Sequence, residues 1–185
     1  EMNPLLVSGE TLLALDARIR LEPLGEKPSG RRYPHLAICP YPEDLSRTIT
    51  VADGTVVRLR AIRPEDEPAW LELLRHCTPD TLQSHFGGML NPPTHEMAVR
   101  YCYLDYDREL TVVAEIEPEG RRQWAAIGRL TADTDHERAA YTVLVADAWQ
   151  GRGLGGAMTD ACLDMARRWG VHEMTAVTHA SNHRM

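Results

Sequence analysis

Apolar positions recur along the chain with two periods, and the switches between them predict an element order. Residues 5–7 and 12–15 read as short strands around the turn residues Ser8-Gly9-Glu10. Residues 48–51 and 56–62 flank Asp53-Gly54, a two-residue hairpin signal. In the second of these strands Val57, Leu59 and Ala61 face one way, and Arg58 and Arg60 the other. A helix opens at Arg63-Pro64-Glu65-Asp66-Glu67, with acids where the helix dipole favours them. Thr78-Pro79-Asp80 supplies a cap and a first-turn proline for a short helix to about Phe86, and Thr94 caps another ending near Tyr103. Three strand-like runs follow, at 110–116, 124–132 and 139–145. The last helix is the best defined. Leu154, Ala157, Met158, Ala161, Cys162, Met165, Ala166 and Trp169 form an uninterrupted stripe at helical spacing, with Gly170 as its C-terminal cap. A strand at 174–178 closes the series. Strands that follow one another without an intervening helix pair antiparallel, so the fold class is α+β, a mixed but mostly antiparallel sheet flanked by helices and preceded by a short hairpin.

Composition narrows the partners. The sequence has 185 residues, 43% of them apolar and 25% charged, which excludes disorder and collagen-like structure. A chain of this length buries roughly 70% of its unfolded surface, enough for a core without staples. The net charge of −7 argues against a nucleic-acid surface and suits a basic partner, such as a protein bearing an exposed lysine. Cys39, Cys77, Cys102 and Cys162 lack metal spacing and read as free thiols in a reducing compartment. No apolar run reaches membrane-span length and no signal peptide opens the sequence, so the expectation is a cytoplasmic protein without metal, membrane or nucleic acid. Nineteen arginines to one lysine, Lys27, read as a genome-wide arginine bias. The start at Glu1-Met2 and the stop at Arg184-Met185, where a helix begins, suggest an excerpt of a longer chain.

The chemistry lies before the striped helix, in Gln150-Gly151-Arg152-Gly153-Leu154-Gly155-Gly156. Glycines at a strand-to-helix turn let several N–H groups converge where the helix dipole is positive, a site for a pyrophosphate. A nucleoside-triphosphate loop needs Lys-Ser/Thr after the glycines and is excluded. Gly151, Gly153 and Gly156 spell a dinucleotide fingerprint, but five residues separate Val145 from Gly151, and the acid twenty residues on, Glu173, precedes the next strand. A plain tight turn would not need four glycines against an amphipathic helix.

Gln150-x-x-Gly153-x-Gly155 resembles the Q/R-x-x-G-x-G/A signature of the GNAT family of N-acetyltransferases, and the element order from about residue 55 matches that fold. The resemblance implies acetyl-CoA as co-substrate. Gly151, Arg152, Gly153, Leu154 and Gly155 would hold its pyrophosphate and Gln150 would position the loop. Val143, Leu144 and Val145 would pair with pantetheine, and Asn182 would contact the coenzyme. Arg152 is also a candidate for direct contact with a phosphate.

The first fifty residues carry a second resemblance. Asn3-Pro4-Leu5-Leu6-Val7 and Ala14-Leu15-Asp16-Ala17-Arg18-Ile19 are similar to the closing hairpin of an ATP-grasp domain from acyl-CoA synthetases. His35-Leu36-Ala37-Ile38 and Pro40-Tyr41-Pro42 resemble its junction with an acetyltransferase. The whole is similar to bacterial Pat-type protein lysine acetyltransferases. This divides the chain into a hairpin remnant at 1–21, a linker at 22–47, and an acetyltransferase domain at 48–185, truncated at its C-terminus. Asn3 and Asp16 match magnesium positions of the ATP-grasp fold and are remnants here.

The implied reaction is attack of a lysine amine on the acetyl-CoA thioester, on a protein such as an acyl-CoA synthetase. Exposing the neutral amine at pH 7 costs about 4.6 kcal/mol, so a base or an ordered water is expected. Pat-like enzymes carry a glutamate five residues ahead of the pantetheine-binding position. That position is Ala140 here. His136 and Glu137 lie toward the preceding loop, and His179 is the other candidate near the thioester. His179 and His183 lack the glutamate that would make a zinc motif. The catalytic residue is left open. Two alternatives remain beside the lysine acetyltransferase: a catalytically weakened acyl-CoA-binding sensor, and an enzyme acetylating a small amine.

Overall fold

The computed structural model describes residues 5–17, 39–87 and 93–178. The chain divides into two compact units, residues 1–37 and 38–185. In the first, β1 (Leu5–Ser8) and β2 (Thr11–Ala14) form an antiparallel hairpin, exposed along both strands. Gly9 supplies the left-handed turn, with φ of 57°. The linker composition at 22–33 lies outside the described residues.

The second unit is built on six strands: β3 (Arg47–Thr50), β4 (Val56–Ala61), β5 (Glu109–Ile116), β6 (Gln123–Ala132), β7 (Arg138–Val145) and β8 (Glu173–Ala176). They lie in that order, antiparallel through β7, with β8 parallel to β7. Antiparallel neighbours exclude the alternating parallel units of a dinucleotide fold. The turn at Asp53-Gly54 works as its residues predict: Gly54 has φ of 86° and the Asp53 carboxylate accepts from Thr55 N–H at 2.9 Å.

Each face of the sheet carries its own core. On one, α4 (Leu154–Trp169) lays its stripe against Val57, Leu59, Leu110, Val112 and Leu130. On the other, α1 (Glu67–Arg75), α2 (Pro79–Phe86) and α3 (His95–Cys102) close over Ile62, Val113, Trp124, Ile127 and Leu144, around the fully buried Trp70. Ala125 is an extra residue opposite the Ala114–Glu115 step, a bulge that re-phases β6 so that Trp124 and Ile127 share the face covered by α1, α2 and α3. Gly128 faces α4. A Cβ there would stand 3.3 Å from both Cys162 Sγ and Met158 Cβ, so glycine sets how closely the helix lies on the sheet.

Arg60, placed by alternation on the second face, is buried there. Its guanidinium pairs with Asp66 at 2.6 Å and with Glu115 at 2.6 Å. Four short 3-10 turns that no periodicity marks, at Glu43–Leu45, Pro64–Asp66, Pro118–Gly120 and Asp147–Trp149, join the elements among the described residues. The first belongs to a segment laid on the α4-side core: Tyr41 donates its hydroxyl to Ala61 O at 2.8 Å, and Leu45 packs beside it. Helices α2 and α3 begin as their sequences require, with Thr78 and Thr94 accepting from Thr81 N–H and Met97 N–H.

Candidate functional site

The site is assembled where β7 leaves its neighbour and turns into α4. Along β7 the polar groups alternate sides. Ala146 N–H donates to Ala125 O on the β6 side, and Glu137 O accepts from Glu173 N–H on the β8 side. Odd-numbered residues therefore turn their N–H and C=O toward β8. Among the described residues, that ladder stops at Tyr141 and Ala176, while β7 continues four residues further. Val143 and Val145 thus present main-chain groups along an edge that has no strand beside it among the described residues. Leu144 points its own groups at Ile127 across β6 and its side chain into the core.

Two side chains already engage this edge. His85 Nδ1 lies 3.0 Å from Val143 O, and Gln150 Nε2 donates to Val145 O at 3.1 Å. Gln150 also reaches Thr81 Oγ1 at 3.4 Å, which joins the loop to the first turn of α2. The N–H groups of Val143 and Val145, and the second lone pair of each carbonyl, are the groups such an edge offers a ligand.

The loop then rises to the helix. Gly151 (φ 75°) and Gly153 (φ 88°) take left-handed conformations that a side chain strains, and Gly153 is the N-terminal cap of α4. Leu154 is buried in the core and anchors the turn. Ala157 N–H, bonded to Gly153 O at 3.1 Å, is the first donor with a partner inside the helix. The N–H groups of Leu154, Gly155 and Gly156 precede it and point out of the helix end. Among the described residues, nothing beyond the adjoining chain lies within 4 Å of where a Cβ of Gly151, Gly155 or Gly156 would stand, and no acid occupies the first turn. An uncovered helix end, without side chains over it and without a carboxylate to compete, fits a pyrophosphate. Arg152 stands at its rim, paired with Asp53 at 3.0 Å and lying over the Trp149 ring at 4.5 Å.

Asp147 holds this corner together. It accepts from Thr78 N–H at 2.7 Å, Thr78 Oγ1 at 3.1 Å and Thr81 Oγ1 at 2.9 Å. Burial opposes its charge, but these donors outweigh burial and hold the carboxyl below its ordinary range. A lowered folded pKa means the stabilisation is present above the unfolded value and disappears as pH falls through the folded one. Asp147→Ala is expected to lower the melting temperature at pH 7, with the gap to wild type closing below about pH 4. Thermal melts across that range check it.

Beside the edge is a cavity of about 260 Å³. It is lined by Ala140 and Thr142 of β7, Arg129 and Thr131 of β6, His85 of α2 and Tyr101 of α3. Its walls are fixed: Tyr101 stacks on Trp70 with centroids 5.1 Å apart, and Arg129 lies over Tyr101 at 4.7 Å while pairing with Glu109 at 3.4 Å. Burial pushes the thiols of Cys77, Cys102 and Cys162 up to about 12, so they stay protonated and inert.

His136 bonds Asp107 O through Nε2 at 2.8 Å, in the turn before β7 and at the opposite end of that strand from the glycine loop. Asn3, His179, Asn182 and His183 lie outside the described residues; Asp16 is exposed in the first unit. Among the described residues no cluster of His, Cys, Asp or Glu is arranged to hold a metal. No helix among them is long and apolar enough to cross a membrane. Sequence reasoning missed His85, Thr81 and Asp147. Their roles depend on the docking of α2 against β7, which no local spacing encodes.

Comparison with known proteins agrees with this geometry. The family model described as "Acetyltransferase (GNAT) family" matches residues 67–185. An acetyltransferase of Pseudomonas aeruginosa is 27% identical over 133 residues, 72% of each chain. The GNAT domain of S. lividans PAT superposes with a TM-score of 0.71 at 21% identity, over 77% of this chain and 84% of that one. A cAMP-binding acyltransferase from Mycobacterium smegmatis superposes with a TM-score of 0.51 at 22% identity, over 76% of this chain and 40% of that one.

Proposed function

The chain belongs to the acetyltransferase (GNAT) family, and from that premise we propose that it transfers the acetyl group of acetyl-CoA to a lysine side chain of a protein. The observation that carries the proposal is the free edge of β7 running into the uncovered N-terminus of α4. Val143 and Val145 would pair with pantetheine, and the N–H groups from Gly151 through Gly155 would receive the pyrophosphate. Gln150 ties loop to strand, and Asn182 is assigned a coenzyme contact. When bound, the coenzyme supplies an activated acetyl thioester.

The acceptor assignment rests on two features. The cavity beside Ala140 falls below the 300–1,000 Å³ usual for whole small-molecule ligands, which suits the end of a side chain. A net charge of −7 attracts a lysine-bearing surface. The likeness to the GNAT domain of S. lividans PAT is compatible with a Pat-type enzyme, and an acyl-CoA synthetase is the acceptor we assign. The same reading makes residues 1–21 a remnant of an ATP-grasp module and 22–47 a linker. We place the protein in the cytoplasm.

Incubation with acetyl-CoA and a purified acyl-CoA synthetase, followed by mass spectrometry, is expected to find one acetylated lysine. Binding of acetyl-CoA by calorimetry without transfer to any acceptor would favour a coenzyme sensor; no binding would exclude both readings. Transfer to free small amines alone would exclude the protein acceptor.

A further inference from the structure

The strand lacks a carboxylate at Ala140, and the cavity that Ala140 lines contains a histidine. We propose that His85 is the general base of the transfer, accepting a proton from the acceptor amine through Nε2. The proposal rests on the acetyltransferase reading above.

Geometry fixes the tautomer. A carbonyl oxygen only accepts, so the 3.0 Å contact with Val143 O puts the proton of the neutral ring on Nδ1. Nε2 is left with a lone pair on a ring that lines the cavity. The carbonyl that orients the ring belongs to the edge read as the pantetheine strand, so base and thioester would be aligned by one residue. Ala140 matters because it is small. It shares the cavity with the imidazole, where a glutamate at the same position would compete for the space.

The surroundings favour a neutral ring. Burial pushes the His85 pKa below its ordinary value, and the bond to Val143 O opposes this without overcoming it. Arg129 of β6 faces the same cavity, its charge shared with Glu109 of β5 and Arg100 O of α3. Tyr101 of α3 and Phe86 of α2 add aromatic walls, and β7 contributes only Ala140 and Thr142. Proton transfer from ammonium to imidazole keeps the total charge of the cavity constant, so no new charge is created beside Arg129.

The step balances as follows. Nε2 takes one proton from the ammonium. The freed amine lone pair forms the bond to the acetyl carbon as the carbon–sulfur bond breaks. The second amine proton leaves with the sulfur as the thiol, and the imidazolium returns its proton to water.

The full chain tests this in two ways. Long-range ¹H–¹⁵N correlation on wild type, with the His85 ring assigned through its own backbone and Cβ resonances, is expected to show the Nδ1–H tautomer at pH 7.5. An Nε2–H tautomer or a charged ring overturns the proposal, even if the variant fails to fold. In His85→Asn the side-chain amide still donates to Val143 O, but no base remains. Calorimetry with acetyl-CoA is expected to give an affinity within about twofold of wild type, while kcat/KM toward an acyl-CoA synthetase or N-α-acetyl-lysine falls about 100-fold or more. Wild-type kcat/KM is expected to level off above about pH 7, and the variant to climb about tenfold per pH unit toward the amine pKa of about 10.4. Ala140→Glu added to the variant is expected to restore part of the rate. Wild-type rate and profile in His85→Asn overturn the base and leave the acetyltransferase reading standing. Acetyl-CoA binding by wild type without transfer to either acceptor defeats both.

Discussion

Gly155→Asp is expected to lower the affinity for acetyl-CoA at least a hundredfold while leaving the protein as stable as before, or more so. Gly155 lies in the first turn of α4 with ordinary helical backbone, and a Cβ there meets nothing within 4 Å. Replacing a helical glycine removes a penalty of up to about 1 kcal/mol. An acid near a helix N-terminus adds about 0.3–1 kcal/mol of stability. The cause of that gain is also the cause of the lost binding. The carboxylate takes the N–H groups and the positive potential that the pyrophosphate would use, and repels the phosphates. A hundredfold is about 2.7 kcal/mol, within reach of one displaced anion contact and one added repulsion. Calorimetry and thermal melts on the same samples decide it. Unchanged affinity would mean that the pyrophosphate binds elsewhere. Gly155→Asn, which fills the same space without charge, separates repulsion from volume and should lose less.

Arg60→Ala carries the largest expected loss of stability. All five donors of the guanidinium are used: two bonds to Glu115 (3.0 and 2.6 Å), two to Asp66 (2.6 and 2.8 Å) and one to Ala61 O at 2.9 Å. The Asp66 and Glu115 side chains are 15% and 14% exposed, so removing the cation leaves two nearly buried carboxylates side by side. Burial alone would weaken the guanidinium charge, and the two acids more than reverse this, keeping it ionised. Breaking such a network costs about 3–5 kcal/mol. For a chain of this size that is a fall of roughly 10 °C in melting temperature. Arg60→Lys should not rescue it, because an ammonium cannot span both carboxylates. Arg60→Met with Glu115→Gln should recover part of the loss by removing one of the stranded charges. A cost below about 1 kcal/mol for Arg60→Ala would show that water reaches the carboxylates.

The outline of the fold was readable because its signals are local. The Leu154–Trp169 stripe, the Asp53-Gly54 turn and the caps Thr78 and Thr94 act within a few residues of themselves, and each element lies close to where its pattern placed it. The glycine run was readable for the same reason. Arg60 shows where local reading stops. Alternation placed it opposite Val57 and Leu59, but only α1 and its preceding turn, folded over that face, make the position buried. His85 shows the same limit within the site. As one histidine near the end of a short helix it carries no pattern, and its meaning comes from Val143, fifty-eight residues away. Spacing along β7 leads to Ala140, whereas the base proposed above is delivered to that strand from α2.

The contact at Gly128 reaches further than packing. In the proposed site helix α4 would hold the pyrophosphate at its N-terminus and β7 would pair with pantetheine, and Gly128, on the neighbouring strand β6, lies against Met158 and Cys162 of that helix. A missing side chain on that strand would therefore act as the spacer of a measuring device. It would set the gap between the two halves of the proposed coenzyme site from a position that belongs to neither. A methyl group there would require Met158 and Cys162 of α4 to give by a few tenths of an ångström. On that reading the match between the site and its ligand would depend partly on a residue that never meets that ligand.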